Sequence, residues 1–452
     1  MNPAPTIAIV GRPNVGKSTL FNRLIGKRHA VVAKEAGTTR DRVSQKFECG
    51  DYEPLLVDTG GLEYGKQENI EANIQIQAQI AIYDADIILF VIDIGNELTV
   101  DDFAAVDILR KSKKSVIFIA NKCDNSNIEA MSYNFYELGF GKPITISAIH
   151  KLGVDELKDS ICEMLKKLKF KKASIKNQPK NQNSICILGK PNAGKSSLVN
   201  ALWGSEKVIV SDIPGTTRDS TSTEITYKDT KFEMIDTAGL KRPGKTIGGI
   251  DKFSTLRTLR SIQEAEVVIL LIDGTKGVTS QDCHIAEHAL EQEKGLILAV
   301  NKIDLFEDKE EEENIFISRL RRRFAFVPWA PIIFVSAKNK KNTYKLLDLA
   351  LEIIGERNKR VQTAELNSFM QKITQKHLPA STKMKKPKFM YASQVDTRPP
   401  KFVLFFKNQS NMHFSYPRYL ENEIRKEYGF NGTAIDLKFK QIEGNKESHL
   451  GK

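Results

Sequence analysis

The sequence predicts an α/β chain in which one domain, a mostly parallel sheet with helices on both faces, occurs twice and precedes a small α+β domain. The main observation is a repeat: GRPNVGKSTLFNRL at Gly11 returns as GKPNAGKSSLVNAL at Gly189. In addition, short apolar strands such as Thr6 to Val10 alternate with helical stretches, and this pattern changes after about Asn358. We therefore expect two copies of one domain and a different third domain.

The other motifs repeat in the same order. AGTTRDR at Ala36 returns as PGTTRDS, DTGGL at Asp58 returns as DTAGL at Asp236, and NKCD at Asn121 returns as NKID at Asn301. Each strand-linked motif follows the end of a predicted strand, which places it at the carboxyl edge of the sheet, where such folds bind ligands. Boundaries follow from these positions: a first domain over residues 1–167, a basic linker over 168–182, a second domain over 183–357, a third over 358–441, and a disordered tail over 442–452.

Composition limits the class of protein. The chain has 452 residues with 40% hydrophobic and 27% charged content, enough for several buried cores. It has no apolar run near the ~20 residues of a membrane helix and no basic leader, which predicts a cytoplasmic protein that binds no membrane. Its five scattered cysteines are expected to be free thiols.

Charge is concentrated at the end of the chain. The formal net charge is +12, and residues 355–452 contain 19 Lys+Arg and 9 Asp+Glu, so this last part has a net charge of +10. We therefore expect a polyanionic partner to bind this last part of the chain. The aromatic residues of this part are interpreted as core packing rather than as a base-stacking platform: Phe402, Phe405, Phe406, Phe414, Tyr416 and Tyr419.

The motif GxxxxGK[ST] at Gly11 and Gly189 has the chemistry of a phosphate cradle. Its glycines let successive backbone N–H groups and a helix N-terminus face an anion. Lys17 and Lys195 then place a cation on the β- and γ-phosphates, and Ser18 and Ser196 offer hydroxyl groups to Mg²⁺.

Two further motifs identify the nucleotide. In DxxG, the aspartate can hold Mg²⁺ through water and the last glycine N–H can meet the γ-phosphate. In NKxD, the carboxylate of Asp124 or Asp304 can accept two hydrogen bonds from guanine, which adenine does not offer. Ser147 and Ser336 begin SAI and SAK segments that would complete the base pocket. GTP is therefore favoured over ATP.

With these motifs in order, the sequence resembles the translation-factor-related GTPases, and over residues 5 to 441 it resembles the double Era-like GTPase family, Der or EngA. This resemblance implies two tandem P-loop GTPase domains, a KH-like α+β domain, and a monomer that acts in late assembly of the large (50S) ribosomal subunit. The implied partners are ribosomal RNA and ribosomal proteins, with no DNA. It also implies that Thr39 and Thr217 of TTRD close over Mg²⁺ and the γ-phosphate, although Thr38 and Thr216 are adjacent.

The expected site residues form three sets. Residues of the catalytic set are Lys17, Thr39, Gly61, Lys195, Thr217 and Gly239; the Mg²⁺ ligands are Ser18, Thr39, Asp58, Ser196, Thr217 and Asp236. Contacts with GTP or GDP in the first copy are assigned to Gly11, Arg12, Pro13, Asn14, Val15, Gly16, Lys17, Ser18, Asp58, Thr59, Gly60, Gly61, Leu62, Asn121, Lys122, Cys123, Asp124, Ser147 and Ala148. In the second copy they are assigned to Gly189, Lys190, Pro191, Asn192, Ala193, Gly194, Lys195, Ser196, Asp236, Thr237, Ala238, Gly239, Leu240, Asn301, Lys302, Ile303, Asp304, Ser336 and Ala337.

The residue after DxxG is Leu62 or Leu240, where many GTPases have a glutamine that positions the attacking water. Leucine cannot do this, so we expect slow hydrolysis. Asn14 and Asn192 match an asparagine that helps related GTPases bind K⁺ beside the phosphates, which predicts stimulation by K⁺. An internal arginine finger, from Arg40 or Arg218, is the less favoured way to supply positive charge beside the phosphates.

Two alternative functions share some of these motifs. A tRNA-modifying GTPase shares the P-loop asparagine but has one G domain and needs a reactive C-terminal cysteine, whereas this chain has no cysteine after Cys283. A nucleotide-gated scaffold, in which only one G domain turns over GTP, is compatible with the motifs and stays open.

Overall fold

The protein is described by a computed structural model. It covers residues 5–26, 44–61, 74, 77–79, 81–82, 85–112, 114–125, 130–170, 183–204, 208–211, 222–236, 255–378, 386–413 and 415–441. Within these ranges the chain forms two compact units, one of residues 5–170 and 255–260 and the other of residues 183–236 and 261–441.

The first unit is built on a six-stranded sheet. Its strands are β1 (Thr6–Val10), β2 (Ser44–Lys46), β3 (Leu55–Asp58), β4 (Ile87–Asp93), β5 (Ser115–Asn121) and β6 (Ile144–Thr145), in the order β2-β3-β1-β4-β5-β6. Only the pairing of β2 with β3 is antiparallel among the described strands. Its helices include α1 (Lys17–Ile25), α2 (Val100–Lys111) and α3 (Val154–Lys167).

Both faces of this sheet are buried. Ile7 and Ile9 of β1 pack into one apolar cluster, whereas Ala8 and Val10 pack into another on the opposite face. A strand covered on both faces has no polar side to alternate with, which explains its continuous apolar sequence. The layered arrangement leaves the carboxyl ends of the strands as the open edge where loops can meet.

The second unit repeats this plan with seven strands. They are β7 (Ser184–Leu188), β8 (Val208–Ser211), β9 (Thr223–Tyr227), β10 (Thr230–Ile235), β11 (Val267–Asp273), β12 (Gly295–Asn301) and β13 (Ile332–Phe334), in the order β13-β12-β11-β7-β10-β9-β8. Its helices include α4 (Lys195–Trp203), residues 261–264 of α5 (Thr255–Glu264), α6 (Ser280–Glu291), α7 (Lys309–Arg323) and α8 (Thr343–Asn358). The predicted fold class is confirmed in both copies.

The C-terminal domain belongs to the second unit. It consists of α9 (Thr363–Lys376), β14 (Lys388–Thr397), β15 (Pro400–Lys407), α10 (Tyr416–Tyr428) and β16 (Asp436–Gln441). The sheet order is β14-β15-β16, with β14 antiparallel and β16 parallel to the central strand. Phe402, Phe406 and Tyr416 lie in its core as expected, but the half-buried Phe405 does not belong to that core.

Other expectations have mixed outcomes. All five cysteines are free, and Cys49 and Cys162 bring their sulfur atoms within 2.6 Å. Among the described helices, none combines the length and the apolar character that a bilayer crossing requires. The linker from residue 171 onward and the tail 442–452 lie outside the described residues, so the proposed domain boundaries stay predictions.

Candidate nucleotide sites

The phosphate cradle of each copy connects the first strand to a helix. In the first, β1 leads through a loop into α1, which begins at Lys17. Asn14 and Gly16 have φ values of 65° and 94°, and Asn192 and Gly194 repeat them with 65° and 94°. A β-carbon on Gly16 would lie 2.3 Å from Nδ2 of Asn121, so glycine is required there by space as well as by conformation. The backbone is thus curled around the helix N-terminus in both copies.

The P-loop lysines curl back over their own loops. Nζ of Lys17 donates to the carbonyl oxygens of Gly11 and Arg12, both at 2.7 Å. Lys195 makes the same two bonds, to Gly189 at 2.8 Å and Lys190 at 2.6 Å. Each ammonium group is therefore held at the mouth of the cradle, ready to exchange carbonyl partners for phosphate oxygens.

Burial changes the acidity of these lysines. It lowers the pKa of Lys17, an effect that the nearby carboxylate of Asp58 opposes. It lowers the pKa of Lys195 to about 8, with a weaker opposing effect of Asp282. Since burial penalises the charged form, a bound anion would restore the ordinary basicity of both groups.

The predicted Mg²⁺ ligands of the first copy are adjacent. Oγ of Ser18 donates to Oδ2 of Asp58 at 2.6 Å, and the backbone N–H of Gly60 donates to Oδ1 at 2.9 Å. A hydroxyl and a carboxylate at the edge of a phosphate cradle are oxygen ligands of the kind that Mg²⁺ prefers. A β-carbon on Gly60 would come within 2.5 Å of Cε of Lys17, so the DxxG loop packs directly on the P-loop lysine.

The second copy differs at this point. Asp236 follows β10 with a φ of 62°, and its Oδ2 accepts a hydrogen bond from Ser261 at 3.4 Å. The rest of its DxxG motif, Thr237, Ala238, Gly239 and Leu240, lies outside the described residues, as do Thr39, Thr217 and Leu62. Their assigned roles stay predictions. Gly61 is described only as part of a short 3₁₀ segment, Thr59–Gly61.

The asparagine of NKxD ties three loops together. Nδ2 of Asn121 donates to the carbonyl of Val15 at 2.8 Å, and Oδ1 accepts from the N–H of Ala148 at 3.0 Å. Asn301 repeats the arrangement with Ala193 at 2.8 Å and Ala337 at 3.0 Å. This side chain therefore holds the cradle and the SA segment in register rather than reaching for the base.

The base-recognition carboxylates are oriented by the serines. Oγ of Ser147 donates to Oδ1 of Asp124 at 2.7 Å, and Oγ of Ser336 donates to Oδ1 of Asp304 at 2.6 Å. One carboxylate oxygen is thereby fixed while the group as a whole stays at the pocket. This contact joins two motifs that are weak when considered separately, and guanine recognition by the two aspartates stays a prediction.

Two buried aspartates were missed by sequence reasoning. Asp93 and Asp273, the last residues of β4 and β11, accept Nζ of Lys122 and Lys302 at 2.7 Å in each case. Their positions at the ends of apolar strands were the available signal. Each ion pair therefore holds the ammonium group of the NKxD lysine at the end of the neighbouring strand.

Arg12 does not point into the site. Its guanidinium contacts the carboxylate of Asp102 at 2.9 Å, and Asp102 also accepts the N–H and hydroxyl of Thr99 as the capping box of α2. Thr279 and Asp282 form the same capping box on α6. Through its side chain Arg12 thus links the P-loop to the start of α2, and its predicted contact with the nucleotide stays a prediction.

A cavity of about 460 Å³ joins these elements in the first copy. Its lining residues are Pro13, Asn14, Gly16, Lys17, Ser18, Thr19, Gly60, Asn121, Lys122, Asp124, Ser147, Ala148 and Ile149. All but Thr19 and Ile149 were predicted from sequence. The residues predicted to cradle phosphate and those predicted to recognise the base therefore share one cavity, whose volume suits a nucleotide.

Comparisons with known proteins agree with this geometry. A family model described as "50S ribosome-binding GTPase" matches residues 6–122 and again 184–302. A second model, described as "KH-domain-like of EngA bacterial GTPase enzymes, C-terminal", matches residues 360–440. The two matches to the first model correspond to the two copies seen in the structure.

Curated relatives match nearly the whole chain. GTPase Der of Thermomicrobium roseum is 44% identical over 450 residues, which are 98% of this chain and 97% of the relative. GTPase Der of Chloroflexus aggregans is 43% identical over 452 residues, covering 98% and 100%. Because the similarity runs through both repeats and the last domain, the chain belongs to the GTPase Der family, also called EngA, and is an enzyme that hydrolyses GTP.

Proposed function

We propose that this protein is a GTP-driven switch that binds the large (50S) ribosomal subunit in the cytoplasm and acts, as a monomer, late in the assembly of that subunit. The description of the matching family model supports a ribosomal role, and the net charge of +10 after residue 354 supports a polyanionic partner. The observation that carries the switch function is the pair of matching sites, each with its cradle, base carboxylate and connecting asparagine.

Each group of site residues has a proposed role in binding or hydrolysing GTP. The P-loop N–H groups and Lys17 or Lys195 hold the phosphates, and Asp124 or Asp304 selects guanine. Ser18 with Asp58, and Ser196 with Asp236, would hold Mg²⁺, which supplies charge neutralisation on the β- and γ-phosphates when bound. Thr39 and Thr217 are proposed to close over the γ-phosphate, and the glycines Gly61 and Gly239 to report its presence.

Hydrolysis is proposed to be slow and stimulated by K⁺. No glutamine follows either DxxG motif, whereas Asn14 and Asn192 sit at the bend of each cradle with positive φ. We expect faster turnover in K⁺ than in Na⁺ buffer, and loss of this difference in an Asn14→Ala, Asn192→Ala double variant. Equal rates of the unchanged protein in both salts would rule out the cation.

Sedimentation with ribosomal subunits tests the main proposal. The protein is incubated with 50S particles in GTP, non-hydrolysable GTP or GDP, and we expect comigration in one nucleotide state only. An Asp124→Ala, Asp304→Ala variant, which lacks guanine recognition at both sites, is the matched control and should lose the nucleotide dependence. Absence of comigration in every state would overturn the ribosomal assignment while leaving the GTPase intact.

The scaffold alternative, in which one G domain binds GTP without turnover, is tested at the lysines. Single-turnover hydrolysis is measured for Lys17→Ala and Lys195→Ala separately. If both sites turn over, each variant retains part of the signal. If one variant retains all of it and the other none, the scaffold assignment replaces the two-site enzyme.

A further inference from the structure

The C-terminal domain has a Gly-x-x-Gly loop, Gly429 to Gly432, which is the element with which KH domains clamp a nucleic-acid backbone. Here that loop is docked against the second G domain. The N–H of Gly432 donates to the carbonyl of Trp329 at 3.0 Å, and its carbonyl accepts the N–H of Leu296 at 2.8 Å. A β-carbon on Gly432 would lie 2.3 Å from Cγ1 of Ile353. Both backbone groups of Gly432 are therefore already used.

Neighbouring contacts fix the same loop. Phe430 is fully buried, and its N–H donates to Oε2 of Glu356 at 2.5 Å. The buried guanidinium of Arg357 donates to Glu266, to the carbonyl of Glu293 and to the hydroxyl of Thr433, each at 2.9 Å. Releasing the loop would break the Arg357–Thr433 bond and leave the N–H of Phe430 without Glu356, whereas the bonds of Arg357 to Glu266 and Glu293 would remain. Nucleic-acid binding by this domain must use another surface.

The three-stranded sheet offers such a surface on one of its faces. Along β15, Phe402, Leu404 and Phe406 pack into the core, so the alternating residues Phe405 and Lys407 point to the opposite face. We call this opposite face the open sheet face. It is defined by Lys388, Tyr391, Phe405, Lys407 and Lys440, which the strand register places side by side.

At its centre lies an aromatic pair. Tyr391 is opposite Phe405 on the neighbouring strand, with ring centroids 6.0 Å apart, and Tyr391 is 44% exposed. Exposed aromatic rings on a sheet are the platform on which single-stranded nucleic acids stack their bases, and such stacking tolerates any sequence. An aromatic pair used only for core packing would be buried.

Cations surround this pair. Lys388 lies opposite Lys407, both exposed, and Nζ of Lys440 lies 5.9 Å from the centre of the Phe405 ring. Towards the other end of the face, Asp436 contacts Lys438 at 3.5 Å and Lys401 at 3.9 Å, and Glu293 contacts Lys401 at 3.2 Å, so two carboxylates balance two lysines there. Positive charge is thus concentrated around the rings and not spread over the whole sheet.

We propose that the open sheet face binds a single-stranded RNA segment, with bases stacked on Tyr391 and Phe405 and phosphates held by Lys388, Lys407 and Lys440. The proposal rests on the ribosomal function proposed above and deepens it by assigning the RNA contact to one surface. An acidic peptide would satisfy the lysines but would leave the exposed rings without a flat partner, so RNA fits the face better.

Anisotropy of a fluorescein-labelled oligouridylate, measured with the full chain, tests the assignment. We expect binding, a decrease in affinity of about 10- to 100-fold for Tyr391→Leu combined with Phe405→Leu, and little binding of an equally long RNA duplex. Tyr391→Leu alone, at an exposed position, keeps the test valid if the double variant is unstable. Retained GDP binding and melting temperature verify that the variants are folded.

The lysines are tested by the salt dependence. Replacing Lys407 and Lys440 by Gln should reduce the slope of log affinity against log salt concentration by about 1.4, since two phosphate contacts are lost. Lys372→Gln with Lys376→Gln, the same charge change at exposed positions of α9, is the matched control and should leave the slope unchanged.

Three results would overturn the inference: no oligouridylate binding by the unchanged protein, equal binding by the aromatic variants, or equally effective competition by polyglutamate, which would indicate an acidic protein partner. Comigration of the unchanged protein with 50S particles is scored separately. If the protein still comigrates with 50S particles but fails the RNA test, only this inference is contradicted. If it does not comigrate, the ribosomal proposal itself is contradicted.

Discussion

The connecting asparagine of the second copy permits a quantitative prediction. Asn301 is 2% exposed and makes two hydrogen bonds, to the carbonyl of Ala193 and from the N–H of Ala337. Replacing Asn301 by Ala leaves the carbonyl of Ala193 and the N–H of Ala337 buried without a hydrogen-bond partner, and each costs about 1–3 kcal/mol of free energy. If about 2–4 kcal/mol of this falls on nucleotide binding, the Kd for GDP at the second site rises about 30- to 1000-fold.

The assay is titration with a fluorescent GDP analogue in an Asp124→Ala background, which removes guanine recognition from the first site. Asn339→Ala is the matched control, because that side chain is exposed and its residue contributes only a backbone N–H to Ser336. Thermal unfolding is measured in parallel. If Asn301→Ala changes neither the GDP Kd by more than about threefold nor the melting temperature, the two hydrogen bonds do not hold the site together and the reasoning is wrong.

Three more predictions follow from the same sites. Burial lowers the pKa of Lys195 to about 8, so Lys195 of the free site loses its proton as pH rises through 8, while Lys195 of the bound site retains it. GDP affinity at the second site should therefore fall between pH 7 and 9. The Lys195→Arg variant, which stays charged, should show a flatter pH profile of GDP affinity. Gly60→Ala should reduce hydrolysis at the first site at least tenfold by displacing Lys17, with GDP affinity less affected, as measured in single-turnover assays; an unchanged rate would contradict the packing. Asp102→Ala should lower the free energy of unfolding of the first G domain by about 2–4 kcal/mol in urea, because it removes the helix cap and strands Arg12; an effect below about 0.5 kcal/mol would show that the pair is dispensable.

The sequence was sufficient for the fold class because its signals agree with one another. Buried strands read as continuous apolar runs, and each motif stands at the end of such a strand, so both the sheet and the location of the pocket could be predicted. The repeat strengthened this further, since a motif that is weak alone, such as SAI at Ser147, recurs at the matching place as SAK at Ser336.

Other features depended on side-chain direction, which motifs do not encode. Arg12 was assigned to the nucleotide because it lies in the P-loop, yet its guanidinium binds the cap of a helix that is distant in sequence. Phe405 was grouped with core aromatics because it stands in the run KFVLFF, but strand alternation turns it to the other face. Asp93 and Asp273 carry no motif, and only the folded chain brings each to an NKxD lysine.

The docked Gly-x-x-Gly loop has an evolutionary consequence. The strand that receives it, β12, begins with Gly295, where a β-carbon would lie 2.7 Å from Cγ2 of Ile353, whereas the matching strand β5 begins with Ser115. The second copy thus carries a docking place for the C-terminal domain, and the first copy has Ser115 where that place has Gly295. A gene rearrangement that exchanged the two G domains would keep both nucleotide pockets but would remove the surface on which the C-terminal domain docks.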